Sequence, residues 1–252
     1  MKSLSVITVT RNAAATIEAT LRSIVGQTVF AEQIEFIVID GASADGTPDI
    51  VRQLVPDAHL LSEPDQGIYD AMNKGLSLAT APWVLFMNAG DSLYDTTTVE
   101  QLHLDTRTPD HIIYGDHIVT HTDGSEMPAV ALPFWQFPQY ICGLGICHQS
   151  IYMPTAWMQQ HPFDWQQYPH CADFEAIHYW HAQGKRFDYI ARPLCRFEQG
   201  AGFSSRPEVQ LLLLDENARI VGRRHSWTYY KLFLRYKLHI PGRPLTREDA
   251  LG

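Results

Sequence analysis

The chain has 252 residues, 45% of them hydrophobic and 19% charged, enough for one large core or two small ones and too apolar for a disordered protein. Its net charge of −9 hides an asymmetry: residues 1–218 carry 11 basic against 26 acidic side chains, whereas Arg219 to Arg247 hold eight Lys/Arg and no Asp/Glu. The four cysteines lack C-x-x-C spacing, the amino terminus lacks a signal-peptide core, and no apolar run approaches the roughly 20 residues that span a bilayer, so a cytosolic protein, at most resting on a membrane, is expected.

Leu4–Thr10, rich in β-branched residues, predicts a first strand, and Ile17, Leu21, Ile24 and Val25 recur at helical spacing up to Gly26. Glu35–Asp40 predicts a second strand ending on a carboxylate, followed by the turn residues Gly41–Thr47. A short helix (Asp49–Leu54), a third strand (His59–Leu61) and a helix from Ile68 to about Ala79 come next. Trp83–Met87, five consecutive large apolar residues, reads as a strand buried on both faces, and it stops at Asn88-Ala89-Gly90-Asp91. Strands alternating with helices predict a mostly parallel sheet with right-handed crossovers. Ligands of such sheets bind outside the carboxyl ends of the strands, which makes Asp40 and Asp91 site candidates; from the ten residues around Asp91 alone, an ordinary Gly-Asp turn fits equally. The first strand–helix turn, Thr10-Arg11-Asn12-Ala13-Ala14-Ala15, lacks the glycines of a dinucleotide fold, and no P-loop occurs. Acidic strand ends suit a divalent cation and hydrogen bonds to a base or ribose better than naked phosphate.

Further on, Ile112–Asp116 and His117–Thr120 read as two strands or one bent strand before a hairpin at Asp123-Gly124. The aromatic stretch Leu132–Tyr140 could meet a sugar or lipid, packing under a loop being the commoner fate. Ile146–Met153 reads as a strand with a polar entry, Cys171–Trp180 as the start of a helix capped by Asp173, and Gly184–Ile190 as a final strand. Arg196–Ser205 reads as a flexible glycine-containing loop, and Glu208–Val221 as a helix. In 223–238, Trp227, Tyr230, Leu234 and Leu238 step at helical intervals among Lys231, Arg235 and Lys237. This predicts a basic helix lying on an anionic membrane, a core helix with solvated lysines being the alternative; the acidic body argues against nucleic acid.

Four ordered motifs carry a resemblance. Ser5–Asn12, Ile39–Thr47, Glu63–Gly75 and Asn88–Asp91 together are similar to the family 2 glycosyltransferases of GT-A fold, strongly over residues 3–95 and more loosely to about 205. The likeness points toward bacterial enzymes of capsule, exopolysaccharide or O-antigen (colanic-acid-type) synthesis. It implies an α/β fold with a Rossmann-like nucleotide-sugar half (1–95) and an acceptor half (96–205), to which the basic pattern downstream adds a helical tail for membrane association (206–252). It also implies a nucleotide-diphosphosugar donor (UDP- or GDP-sugar), inversion at the anomeric carbon, Mn²⁺ or Mg²⁺, and a lipid-linked saccharide acceptor at the cytoplasmic face of the inner membrane.

By that resemblance Thr10 and Asn12 line the nucleotide pocket and Asp40 accepts from the nucleobase, with Ser43 and Asp45 in the turn behind it. Asp65, Asp70, Asn73 and Lys74 match the donor-side helix, Lys74 as a cation for the diphosphate or, on the residue alone, a solvated lysine. Asp91 matches the last acid of the metal-binding D-x-D; since Asn88 stands where another acid is expected, Asp91 would hold the cation largely alone. His148 and Gln149 fall at the sugar end of the pocket. Asp173 matches the general base that takes the acceptor hydroxyl's proton, Glu175 being its rival. Two other readings stand beside this one: a nucleotidyltransferase, whose expected glycine- and lysine-rich first loop is missing, and a catalytically silent nucleotide- or glycan-binding module.

Overall fold

A computed structural model describes residues 1–131, 146–199 and 207–222, with Tyr230 and Leu234. The aromatic stretch 132–140, the glycine-bearing segment 200–205 and nearly all of the basic stretch 223–238 lie outside the described residues. In chain order the elements are β1 (Leu4–Thr10), α1 (Ile17–Val25), α2 (Phe30–Gln33), β2 (Ile34–Asp40), α3 (Thr47–Leu54), β3 (His59–Ser62), α4 (Ile68–Leu78) and β4 (Trp83–Phe86). There follow β5 (Ser92–Leu93), β6 (His111–His121), β7 (Glu126–Ala129), β8 (Ile151–Pro154), α5 (Thr155–Gln160), α6 (Ala172–Ala182), β9 (Arg186–Gln199) and α7 (Pro207–Ile220).

The strands form one sheet in the order β3-β2-β1-β4-β8-β6-β9-β5, with β7 hairpinned onto β6. The first four are parallel, as the alternation of strands and helices requires, and the long β6–β9 ladder is parallel too. Antiparallel β8 joins the two parts by pairing β4 on one side and β6 on the other. Side chains alternate across this sheet with period two. Leu4, Val6, Phe36, Val38, Trp83 and Leu85 pack with Ile17, Leu21 and Ile24 of α1 and Val51 of α3, while Ile7, Val9, Ile37, Ile39, Val84 and Phe86 pack with Met72 and Leu76 of α4 and with α6. Both faces of the strand at Trp83 are therefore covered, and Trp83, Val84 and Leu85 have no exposed surface.

Close approach of α4 to the sheet depends on Gly75. A Cβ there would run into Ile7 Cγ2 and lie 3.2 Å from Ile39 Cγ1, both on stiff β-branched side chains of the fully buried core. Gly75→Ala is expected to destabilise the protein by about 1–3 kcal/mol through overpacking, despite alanine's better helix propensity. Urea unfolding measures this; a variant as stable as the wild type would show that the helix can move freely off the sheet.

One open expectation is decided and three change. The region 112–120 is one strand, bent by irregular pairing at Gly115–His117. The last strand does not end at Ile190 but runs to Gln199, because β6 continues alongside it to His121; Arg196–Gln199 is thus strand rather than loop. The strand expected from Ile146 begins only at Ile151, since His148–Ser150 form a 3₁₀ turn. Asp173 does not cap α6: Cys171 precedes the helix and Asp173 lies inside its first turn, its carboxylate free to face elsewhere. Among the described residues no helix is long and apolar enough to cross a membrane.

Candidate active site

The carboxyl ends of β1, β2 and β4 lie side by side, because parallel pairing sets Thr10 opposite Asp40 and Ile7 opposite Phe86. Two loops are stitched together there. Asn12, in the left-handed conformation (φ +50°), donates its backbone N–H to Ser43 Oγ (2.7 Å) and accepts from the Ala44 N–H through Oδ1 (3.0 Å). Asp45 accepts from the Ala14 N–H (2.9 Å) and from the Thr47 hydroxyl (2.6 Å); these bonds outweigh slight desolvation and hold its carboxyl below the ordinary value. Asp40 is fully buried, accepting from the Ser43 hydroxyl (2.5 Å), the Ser43 N–H (2.9 Å) and the Ser62 hydroxyl (2.6 Å). The Thr10 hydroxyl beside it is enclosed and has no hydrogen-bond partner among the described residues.

Around the start of α4, Asp65 accepts from the Gly67 N–H and Asp70 from the Gln66 N–H, both at 2.9 Å, shaping the entry to the helix. Asp65 Oδ2 fills the space a Cβ at Gly41 would need, which fixes a glycine after Asp40. Lys74 Nζ donates to the Pro64 carbonyl (2.7 Å) and pairs with Glu63 (2.9 Å) and more loosely with Asp70 (3.7 Å). The Glu63 hydrogen bond raises its pKa, so it stays charged. Asn73 is not brought to the cleft: both ends of its amide are spent on the Phe163 backbone, accepting at 3.0 Å and donating at 2.9 Å, which ties α4 to the segment before α6.

A chain of polar side chains crosses from β4 to α6. Asn88 Nδ2 lies 3.1 Å from His148 Nε2, and His148 Nδ1 lies 3.2 Å from Asp173 Oδ2. An Asn88 N–H facing Nε2 leaves Nδ1 to donate toward Asp173. On the other carboxylate oxygen, Oδ1, the Tyr69 hydroxyl donates at 2.7 Å, while also reaching the His170 carbonyl (3.2 Å). Burial raises the Asp173 carboxyl, but His148, Tyr69 and the Phe174 N–H together bring it below its ordinary value. The side chains of His148 and Asp173 keep 22% and 18% exposure, enough for a ligand to reach both. Glu175 is held elsewhere by His161 (3.0 Å), whose ring stacks on Tyr179 at 3.7 Å.

Tyr69 was missed in the sequence although it stands within the motif Gly67-Ile68-Tyr69-Asp70; an aromatic near a helix start reads as core until its hydroxyl's partner, 104 residues away, is known. Asn88 was read only as a lost acid, and its contact with His148 gives it a second use.

Asp91 departs most from expectation. It is 5% exposed; Oδ1 accepts from the Glu198 N–H (3.0 Å) and Oδ2 from Gln149 Nε2 (2.5 Å), while its own carbonyl accepts from Thr20 Oγ1 (2.7 Å). It braces the turn against β9 and the 3₁₀ segment, with one donor on each carboxylate oxygen. Gln149, 1% exposed, is likewise a brace rather than a cleft residue. Burial raises the Asp91 carboxyl from 3.8 to about 6 against the pull of its hydrogen bonds and of His148. Since the folded pKa exceeds the unfolded one, the stabilisation is complete below about 3.8 and is lost as pH rises through about 6. In chelator, wild type is therefore expected to lose roughly 2 kcal/mol relative to Asp91→Asn between pH 4 and pH 6. Parallel unfolding free energies of the two proteins across that range would reject the shift.

Three comparisons bear on this arrangement. The chain is 36% identical over 154 residues to a PGL/p-HBAD biosynthesis glycosyltransferase of Mycobacterium bovis (strain BCG / Pasteur 1173P2), a match covering 59% of this chain and 57% of that protein, so it spans little more than half the length of these curated relatives. Staphylococcus aureus TarS 1–349 in complex with UDP superposes with a TM-score of 0.66 at 17% identity, over 100% of this chain and 74% of that one. The mannosyltransferase PcManGT of Pyrobaculum calidifontis, in complex with GDP-Man and Mn²⁺, gives 0.67 at 19% identity over 94% and 70%. These likenesses show the GT-A fold. The model of the family described as "Glycosyl transferase family 2" matches residues 5–152, more than half of the sequence and including β1 through the start of β8, and the chain belongs to that family.

Proposed function

We propose that this protein transfers a sugar from a nucleotide-diphosphosugar to a saccharide acceptor with inversion at the anomeric carbon. The observation that carries this reading is Asp173: a partly exposed carboxylate, held ionised by His148 and Tyr69 and joined through His148 to Asn88 at the carboxyl end of β4. The nucleotide would lie over Thr10, Asn12 and Asp40, and Asp65, Asp70 and Lys74 would border its diphosphate, Lys74 by releasing Pro64 and turning inward. Asp173 accepts the proton of the acceptor hydroxyl as its oxygen forms a bond to C1; the bond from C1 to the diphosphate oxygen breaks, and the nucleoside diphosphate leaves with that electron pair. A single displacement of this kind inverts the configuration. His148, donating from Nδ1, keeps the carboxylate oriented.

A divalent cation, Mn²⁺ or Mg²⁺, fits this site on one observation: Asn88 Oδ1 is enclosed with no hydrogen-bond partner among the described residues, a hard oxygen left for a ligand. When bound, the ion would offset the charge developing on the leaving diphosphate. Within this proposal residues 1–95 serve the donor and 96–205 the acceptor, a lipid-linked saccharide of a bacterial surface glycan, with 206–252 resting on the cytoplasmic face of the membrane.

A thermal-shift panel of UDP, GDP and their sugars, with and without Mn²⁺, tests the donor. One nucleotide family should raise the melting temperature; stabilisation only by nicotinamide or flavin cofactors would overturn the reading.

A further inference from the structure

We propose that Glu216, a buried carboxylate of α7, is a positioning residue for Asp173: by holding His170 at both backbone and ring it fixes the turn from which α6 starts, and with it the place of the base. The inference rests on the reading of Asp173 above and adds the group that sets its position.

Glu216 stands on the inner face of α7. Leu213 and Ile220, one turn to either side of it, pack against the core cluster that contains Cys171, Phe174 and Ile177. A carboxylate 5% exposed is costly there without partners, whereas an apolar side chain would pack at no such cost. Its two oxygens meet one residue: Oε2 accepts the backbone N–H of His170 (3.0 Å), and Oε1 lies 2.5 Å from Nδ1 of the His170 ring. One side chain thus grips both the main chain and the side chain of a residue 46 positions away. The Arg219 guanidinium, 5.5 Å over the Tyr168 ring, seats the same helix against the chain just before His170.

His170 is tied to the base from its other end. Its carbonyl accepts from the Tyr69 hydroxyl (3.2 Å), the same hydroxyl that donates to Asp173 Oδ1 (2.7 Å). The next residue, Cys171, precedes α6 directly; its carbonyl accepts from the Glu175 N–H (2.9 Å), and its thiol lies 3.8 Å from the Leu213 carbonyl of α7. The turn is therefore fixed from α7 by Glu216 and Leu213 and from α4 by Tyr69, and Asp173 is the second residue of the helix it launches. Asp173 meets Tyr69 on one oxygen and His148 on the other, so a shift of the helix start moves both contacts at once. Misplacing a reacting group by about 1 Å can cost roughly 10²-fold in rate. A carboxylate that served only to join two helices could be replaced by packing; one that grips the residue beside the base sets where the base stands.

Steady-state release of UDP or GDP from UDP- and GDP-sugars, with water and methyl glycosides offered as acceptors, tests this. Glu216→Leu should lower kcat roughly 10–100-fold while the donor KM stays within about twofold of wild type. Glu216→Gln, whose amide oxygen can still take the His170 N–H, should stay within about threefold of the wild-type kcat. In an Asp173→Asn background Glu216→Leu should slow the residual rate no further, because its effect runs through the base. A wild-type kcat in Glu216→Leu, a donor KM that rises as far as kcat falls, a Glu216→Gln as slow as Glu216→Leu, or a further loss on top of Asp173→Asn each overturns the proposal; the base reading stands so long as Asp173→Asn alone is slow. Asp173→Asn as fast as wild type overturns the base reading and the proposal together, as does a wild type that binds a nucleotide-sugar and never releases its nucleoside diphosphate. If Glu216→Leu fails to fold, Glu216→Asp carries the test, since it keeps the charge and withdraws it from His170: kcat must fall with donor KM kept, and a wild-type kcat rejects the proposal.

Discussion

Asp173→Asn is expected to lower kcat for sugar transfer by roughly 10²–10⁴-fold while leaving nucleotide-sugar affinity unchanged. The asparagine keeps the shape of the side chain, so Tyr69 can still donate to its oxygen, but the nitrogen facing His148 cannot accept a proton from the acceptor. A carboxyl held below its ordinary value is a weak base toward a sugar hydroxyl. It becomes adequate once bond formation to C1 has made that hydroxyl acidic, so proton transfer should be late and concerted with displacement. The low value also keeps Asp173 ionised throughout the neutral range. Tyr69→Phe removes one of the groups that lower it, so the acid limb of the pH–rate profile should move to higher pH with the activity at neutral pH largely kept. An unmoved acid limb would separate Tyr69 from the base.

The second large effect is expected at Asp40. Asp40→Ala strips the acceptor from the Ser43 N–H and from the Ser43 and Ser62 hydroxyls in a site closed to water, and should cost about 2–4 kcal/mol of stability. Nucleotide affinity should fall with it, because Ser43 also receives the Asn12 N–H and so carries the conformation of both loops. Three of the roughly four acceptor positions of the carboxylate are already occupied by protein donors. A base N–H could take the remaining one only from the cleft side, so Asp40 acts chiefly by shaping the pocket. Urea unfolding and nucleotide titration of Asp40→Ala and Asp40→Asn check this; loss of affinity with stability intact would instead make Asp40 a direct reader of the base.

Much of this was legible in the sequence where the signal is local. The near-continuous apolar and β-branched runs in Leu4–Thr10, Ile34–Asp40 and Trp83–Met87 are dictated by burial on both faces, and the same runs end where the site begins. Asp40 stood out because strand ends are punctuated by acids and turn residues, whereas Asp173 was singled out by the family resemblance. The illegible parts depend on contacts distant in sequence. Arg196–Gln199 has loop-like chemistry, yet β6 offers it a ladder, and that pairing alone carries Glu198 to Asp91, 107 residues away. Asn73 was grouped with the donor helix by its neighbours, although its amide bonds across 90 residues to Phe163. The burial of Asp91 was not legible, because it follows from the packing of the β9 backbone, Gln149 and Thr20 around it. Position within a motif was readable; the direction a side chain faces was not.

The central claim is a single displacement at the sugar carbon, with Asp173 as base. Proton NMR of the sugar first released or transferred from an α-configured nucleotide-diphosphosugar, recorded before mutarotation, tests it most directly. The β anomer appearing first, and slowed in parallel with transfer by Asp173→Asn, is the expected result; an α product formed first would contradict it.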